Sequence, residues 1–258
     1  MSEKPEVLSK PGLVLLTVAT PNGIKCSSFL EELKAIGAIP GYSFKGISFA
    51  KNEQKEPWFL EINPNGRIPA LLDNREGKKP INVWESASIL LYLAKTYDKD
   101  YVFHFQDEDL QTELLNWIFF IQGGLGPMQG QANHFFRYAP EKIQYGIDRY
   151  QNETRRLYGT YEKHFEKGNE WLVGGKYSIA DICTQPWVRS HAWAGVSLDD
   201  FPKLKAWMDK IEQRPAFQAG LNIPEPLMPK SDDPKEAEKR AKEASAWIMK
   251  GMQSDAKK

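Results

Sequence analysis

Thr20-Pro21-Asn22-Gly23 lies between a short apolar run and the first stretch of helical periodicity. A helix N-terminus leaves backbone N–H groups without intrahelical partners and carries partial positive charge. An anion such as a thiolate is stabilised there, and Thr20 and Asn22 add a hydroxyl and an amide. The same residues also read simply as a helix cap. A second group is Asn65-Gly66-Arg67-Ile68-Pro69-Ala70-Leu71. A proline just before a strand can be cis, which turns the chain sharply. Ile68 would then present its backbone N–H and C=O to an extended peptide, which is capture by strand addition. The third group is Trp84-Glu85-Ser86-Ala87-Ser88-Ile89, running from strand into helix. Ser86 offers a hydroxyl and an N–H to a carboxylate, and Glu85 can pair with an ammonium group. Together they fit a free amino-acid headgroup, with a plain cap as the equally weighted alternative.

Those groups need elements to hold them. Residues 13–18 form a short apolar run of the buried-strand kind. Phe29, Leu30, Leu33 and Ile36 place a helix over 24–36, stopped by Gly37 and Pro40-Gly41. Alternation at Phe44, Ile47 and Phe49 predicts a strand over 43–49, and Trp58 to Ile62 reads as a short helix. Ala70–Asp73 and Ile81–Trp84 are strands joined by a polar turn, and Ser86–Tyr97 is a helix. The order β-α-β-α-β-β-α implies a parallel pair with a helical crossover, then a hairpin. This unit spans 11–98.

Past a polar, aromatic linker at 98–106 the periodicity is helical throughout. Leu110, Leu114, Trp117, Ile118 and Ile121 share a face, as do Ile143, Ile147, Tyr150, Leu157, Tyr161 and Phe165, and again Leu204, Trp207, Met208 and Ile211. An all-α domain over 107–225 follows. The bulky Trp117, Phe119, Phe120, Phe135 and Phe136 can wall a pocket or fill a core. Residues 230–258 make a charged C-terminal helix or tail, with Ala237, Ala241, Ala244 and Trp247 on one face and i,i+4 pairs at Glu236–Arg240 and Glu238–Lys242. It is expected to dock on the body through Trp247 and Ile248, and a partner-dependent mobile tail is the alternative.

Composition narrows the function. The 258 residues are 41% hydrophobic and 26% charged, with 34 basic and 34 acidic side chains. That balance points to a globular protein with neither nucleic acid nor membrane as partner. Cys26 and Cys183 are too far apart for a CxxC pair and too few for a zinc site, and the four histidines lack metal-ligand spacing. A reducing compartment fits. With no signal-like apolar segment at the start and no run of about 20 apolar residues, the expectation is a cytoplasmic protein without a bound metal.

The combination is more specific than its parts. Asn63-Pro64-Asn65-Gly66-Arg67-Ile68-Pro69-Ala70-Leu71 followed by Glu85-Ser86-Ala87-Ser88-Ile89-Leu90-Leu91-Tyr92-Leu93 resembles the glutathione-binding half of the glutathione transferase superfamily. Ser178-Ile179-Ala180-Asp181 resembles that family's N-capping box in the helical domain, and Trp171-Leu172-Val173-Gly174-Gly175 and Arg214-Pro215-Ala216 fit as well. The resemblance covers roughly residues 11–225. Thr20-Pro21-Asn22-Gly23-Ile24-Lys25, Gly123-Gly124-Leu125-Gly126-Pro127-Met128-Gln129-Gly130-Gln131 and Arg155-Arg156-Leu157-Tyr158-Gly159 are similar to two subgroups. These are the bacterial nu class of glutathione-dependent disulfide-bond reductases and the fungal group around the yeast nitrogen-regulator prion protein.

The resemblance implies an α/β thioredoxin-like N-terminal domain plus an all-α C-terminal domain. It implies glutathione as cosubstrate, a small electrophile or disulfide as second substrate, and a homodimer. Thr20 and Asn22 take the place of the Tyr, Ser or Cys of other classes and hydrogen-bond the glutathione sulfur. Ile68, with Pro69 cis, pairs with the cysteinyl backbone. Glu85 and Ser86 hold the γ-glutamyl headgroup, Gln54 meets the glycyl end, and Arg137 matches a helical-domain arginine near glutathione. Cys26, inside the first helix, reads as a packed side chain rather than a nucleophile, and Cys183 as core. Disulfide or peroxide reduction is favoured over conjugation. The rival is a non-catalytic regulatory or binding protein with the same fold. An enzyme is favoured because only about a dozen residues, without an Asn/Gln-rich tract, precede the first strand.

Overall fold

The computed structural model describes residues 4–227, 235, 238, 239 and 241–246. The apolar run becomes strand β1 (Gly12–Thr17), buried from Leu13 onward. Thr20 caps helix α1 (Pro21–Ala35), with Pro21 at the first position, where an N–H has no partner to lose. Strand β2 (Ser43–Gly46) is shorter than the expected 43–49. It lies at the sheet edge with alternating burial, and Phe44 is exposed. Paired on one side only, β2 ends once the chain departs toward the 3-10 turn Glu53–Lys55. Helix α2 (Pro57–Leu60), strands β3 (Ala70–Asn74) and β4 (Ile81–Trp84), and helix α3 (Ser86–Tyr97) follow.

The strand order is β2-β1-β3-β4, with β1 parallel to β2 and antiparallel to β3, and β3 antiparallel to β4. The register sets Ala70 opposite both Leu16 and Trp84. One residue pair, Ile68-Pro69, therefore enters the sheet between the end of β1 and the start of α3. This is the thioredoxin-like arrangement.

The remainder is helical: α4 (Glu108–Phe120), α5 (Gly126–Asn133), α6 (Gln144–Glu166), α7 (Ile179–Arg189), α8 (Pro202–Glu212) and α9 (Pro215–Leu221). Two π-helical turns, Ile121–Leu125 and His134–Tyr138, flank α5. Single π-turns inside helices are frequent where side chains must be re-aimed at a site. α7 starts at a capping box between Ser178 and Asp181. Asp181 is fully buried and accepts four hydrogen bonds: from Leu172 N (3.1 Å), Trp207 Nε1 (2.9 Å), Ser178 N (3.0 Å) and Ser178 Oγ (3.0 Å).

The two parts share one core, in which α1 is the common element. Ser27 Oγ donates to Gly220 O (2.7 Å), and a Cβ on Gly220 would sit 2.5 Å from Ser28 Cα, so only glycine lets α9 approach α1 this closely. Arg214 forks onto the buried Glu32, Nε to Oε1 at 2.6 Å and Nη2 to Oε2 at 2.8 Å, a bidentate geometry that fixes orientation as well as distance. Residues 241–246 are helical, Ala241 is buried, Ser245 Oγ donates to Tyr138 O (2.8 Å), and Glu238 pairs with Lys242 at 2.9 Å. The expected docking through Trp247 and Ile248, and the Glu236–Arg240 pair, lie outside the described residues. Among the described residues, no helix is long and apolar enough to cross a membrane.

Candidate functional site

The N-terminus of α1 opens onto a cleft of about 330 Å³ between the two parts. Asn22 and Glu85 line it from the thioredoxin-like side, and Gln122, Pro127, Gln131 and Trp187 from the helical side. Thr20 Oγ1 accepts from Gly23 N (3.3 Å), which leaves the hydroxyl hydrogen free to donate. Gly23 has a steric reason: a Cβ there would lie 2.0 Å from Val18 O and 2.5 Å from Thr17 Oγ1. Glycine thus lets the first turn of α1 press on the end of β1. Trp187 Nε1 donates to Asn22 Oδ1 at 3.0 Å across the cleft.

Glu85 is the residue between β4 and α3, with φ +69°. A non-glycine residue in that region costs on the order of 1–3 kcal/mol and is kept where surroundings demand it. Here it stands exposed at the cleft while the next residue, Ser86, turns inward at 3% exposure. Ser86 meets Lys25, a fully buried lysine on α1. Lys25 Nζ lies 3.3 Å from Ser86 Oγ and 2.6 Å from Gln122 Oε1. An ammonium only donates, so the Ser86 oxygen accepts and its hydrogen stays available to an anion above it. The cation itself adds positive potential beneath a site suited to a carboxylate. Neither Lys25 nor Gln122 is legible as a site residue in the sequence, because an interior lysine is unusual and its partner is 97 positions away.

Burial pushes the Lys25 pKa below its ordinary 10.5, against the opposing pull of Cys183, Cys26 and Glu85. Between the lowered value and 10.5 the unfolded chain holds the proton and the folded chain does not, so stability rises with pH in that window. Lys25→Met removes this titration. The unfolding free energy of the parent, relative to the variant, is expected to increase as pH rises toward the ordinary 10.5 in urea titrations. A difference that stays flat or falls would show that burial does not lower the Lys25 pKa and that the folded chain keeps the ammonium.

Burial likewise pushes both thiols, Cys26 and Cys183, upward. Both are fully buried and free, and a thiol so placed is a poor nucleophile near neutral pH. Among the described residues no group of His, Cys, Asp and Glu has the makings of a metal site.

The Ile68–Pro69 peptide is cis. Gln54 sits behind this loop, its backbone oxygen 3.0 Å from where a Cβ of Gly66 would be, and its Nε2 donates to Asn52 Oδ1 (2.8 Å). Its Oε1 has no hydrogen-bond partner among the described residues. Thr20, Asn22, Glu85, Ser86 and the Ile68-Pro69 peptide thus converge on one end of the sheet. Arg137 is placed differently. It lies in the second π-turn, stacked on Phe136 and Trp193 with centroid distances of 4.5 and 5.0 Å, and Nε donates to Trp193 O (3.2 Å). It is not among the residues that line the cleft. The aromatic group divides too: Trp117 stacks on the buried Tyr161, Phe135 stacks on Tyr150, and Phe119 is 68% exposed.

Residues 17–95 match the family model of the glutathione S-transferase N-terminal domain, and residues 117–215 that of the glutathione S-transferase C-terminal domain. The chain is 41% identical over 204 residues to the disulfide-bond oxidoreductase YfcG of Escherichia coli, covering 78% of this chain and 91% of that one. It is 31% identical over 240 residues to the transcriptional regulator URE2 of Saccharomyces cerevisiae, covering 79% of this chain and 65% of that one. A glutathione transferase from Pseudomonas putida, solved with one glutathione disulfide bound per subunit, superposes with a TM-score of 0.76 at 36% identity, covering 84% of this chain and 93% of that one.

Proposed function

Since this chain belongs to the glutathione S-transferase family, we propose that it is an enzyme that binds glutathione in the cleft at the N-terminus of α1 and uses the glutathione thiolate to reduce disulfides. The observation that carries this reading is the convergence, at one end of the sheet, of the α1 N-terminus bearing Thr20 and Asn22, the cis Ile68–Pro69 peptide, and the Glu85-Ser86 junction. Each supplies one need of a γ-glutamyl-cysteinyl-glycine. Glu85 pairs with the headgroup ammonium, Ser86 donates to its carboxylate, and Ile68 extends strand pairing to the cysteinyl backbone. In this reading Gln54 takes the glycyl end, and Arg137, which lies outside the cleft lining, would have to leave Phe136 and Trp193 to reach the ligand from the helical domain.

The sulfur then lies over the α1 N-terminus. A free thiol has a pKa near about 8.5, so little thiolate exists at neutral pH. Backbone N–H groups, the Thr20 hydroxyl and the Asn22 amide lower that value by donating to the charged form. The bound thiolate attacks one sulfur of the disulfide. A new S–S bond forms, the old one breaks, and the other sulfur leaves as a thiolate that takes up a proton. A second glutathione resolves the mixed disulfide, and the net products are glutathione disulfide and two thiols. The enzyme needs no nucleophile of its own, in keeping with two buried cysteines. Peroxide reduction and conjugation to an electrophile use the same thiolate. A homodimer in the cytoplasm belongs to this reading, and sedimentation velocity tests the dimer.

Calorimetric titration with glutathione, run beside reduction of a small model disulfide, tests the proposal. Binding with turnover supports it. Binding without turnover on any disulfide moves the chemistry to peroxides or electrophiles. The likeness to URE2 favours one second reading, a regulatory protein that keeps the fold, and absence of glutathione binding would leave that reading standing.

A further inference from the structure

We infer that Trp187 is a positioning residue that makes Asn22 a hydrogen-bond donor to the sulfur; this rests on the functional reading above. Asn22 has an amide with two faces, an acceptor oxygen and a donor NH₂. Only the NH₂ favours a thiolate, and an amide turned the other way would repel it. Asn22 lies at the edge of an open cleft, where nothing on α1 itself selects between the two. The selection comes from the helical domain. An indole N–H can only donate, and that of Trp187 lies 3.0 Å from the Asn22 side-chain oxygen. With the oxygen engaged, the NH₂ is the end left for the ligand.

The indole is held in turn. Gly126 and Gly130, one helical turn apart on α5, leave a slot for it. A Cβ on Gly126 would lie 3.4 Å from Trp187 Cε2 and 3.5 Å from Nε1, and one on Gly130 3.6 Å from Cη2. The backbone of Trp187 is fixed as well. Gln129 Nε2 donates to Trp187 O (2.7 Å) and to Ser190 Oγ (3.1 Å). The Gln129 amide is itself oriented, because Tyr158 OH donates to its Oε1 (2.8 Å). Gln129 and Tyr158 are both fully buried. Donor direction therefore runs from Tyr158 through Gln129 to the Trp187 backbone, and separately from the indole of Trp187 to Asn22. The glycine-rich stretch 123–131, which lines one side of the cleft, acts here as the seat of this indole.

Trp187→Phe keeps a ring in the slot and removes the N–H. The readouts are the pKa of the bound glutathione thiol, followed by thiolate ultraviolet absorbance, and the separation of kcat from KM in disulfide reduction. The bound-thiol pKa is expected to rise by about 0.5 to 1 unit, and kcat near neutral pH to fall about three- to tenfold, with KM for glutathione within about twofold. In an Asn22→Ala background the same substitution is expected to change neither, since residues acting through one contact are non-additive. A merely structural role would instead move the unfolding midpoint and KM in both backgrounds. Should Trp187→Phe not fold, Trp187→Leu takes its place, because it likewise removes the indole N–H while keeping an apolar side chain against Gly126 and Gly130. A parent that binds no glutathione overturns both the functional reading and this one. A parent that binds, with a bound-thiol pKa unchanged in the variant, overturns this inference alone.

Discussion

Asp181→Asn is expected to lower the unfolding free energy by about 2–4 kcal/mol. Both oxygens of the buried carboxylate accept two hydrogen bonds each: Oδ1 from Leu172 N and Trp207 Nε1, Oδ2 from Ser178 N and Ser178 Oγ. All but the serine hydroxyl are fixed donors. An asparagine has one acceptor and one NH₂, so one pair of donors must face another donor. Turning the NH₂ toward Leu172 and Trp207 opposes two fixed N–H groups. Turning it toward Ser178 opposes one, while the hydroxyl can rotate to accept, so that orientation wins and still leaves the Ser178 N–H orphaned in the interior. A buried unsatisfied group costs about 1–3 kcal/mol, and here the Asp181 half of the capping box is lost while Ser178 still accepts from Ala180 N.

The pH dependence gives a second check. Burial outweighs the hydrogen bonds from Trp207, Leu172 and Ser178 and pushes the Asp181 carboxyl up to about 6 from 3.8. Between those values the folded chain holds the proton and the unfolded chain does not. Stability from this group is therefore present at low pH and lost as pH rises through about 6. The gap between parent and Asp181→Asn should widen from about pH 7 to about pH 5 in denaturant titrations. A variant as stable as the parent at both would show that the box is not what holds α7.

Asn22→Ala is expected to lower disulfide reduction near neutral pH by about 100-fold while calorimetric binding of glutathione changes little. Loss of one preorganised donor to a developing or resident anion costs on the order of 10²–10³ in rate. In the proposed reading, recognition of the tripeptide is spread over Ile68, Glu85 and Ser86, so affinity is expected to survive. Trp187, left without its acceptor, faces the cleft, where water replaces the amide oxygen. Because the defect is a thiol that has become harder to ionise, the rate profile should shift to higher pH and the deficit narrow toward about pH 9. A rate deficit that is constant with pH would assign Asn22 to something other than the thiolate. Loss of binding equal to the loss of rate would make it a recognition residue.

What the sequence determined by itself is local. A Thr three residues before a Gly caps a helix because the Thr oxygen reaches an amide one turn on, and it does so at 3.3 Å. Ser178 and Asp181 read as a reciprocal cap for the same reason, and the structure carries that box. Ile81–Trp84 and Ser86–Tyr97 fall within their expected bounds because the periodicity switches from two to helical across Glu85. The β-α-β-α-β-β-α order limits the sheet to few topologies. Each of these signals is carried by residues within a turn or two of one another.

Tertiary structure decided whatever depends on which surfaces meet. Strand β2 is short because it lies at an edge, which alternation alone does not reveal. The 123–131 stretch is rich in glycine, yet it forms a π-turn and a helix, and an indole from α7 packs where Gly126 and Gly130 lack side chains. Lys25 looks like a surface residue of α1 until Ser86 and Gln122 close over it. Asn22 and Trp187 are 165 positions apart, and no periodicity links them. Hydrogen-bond direction at the cleft is set by packing of the helical part against α1, and packing between distant segments is a property of the folded chain.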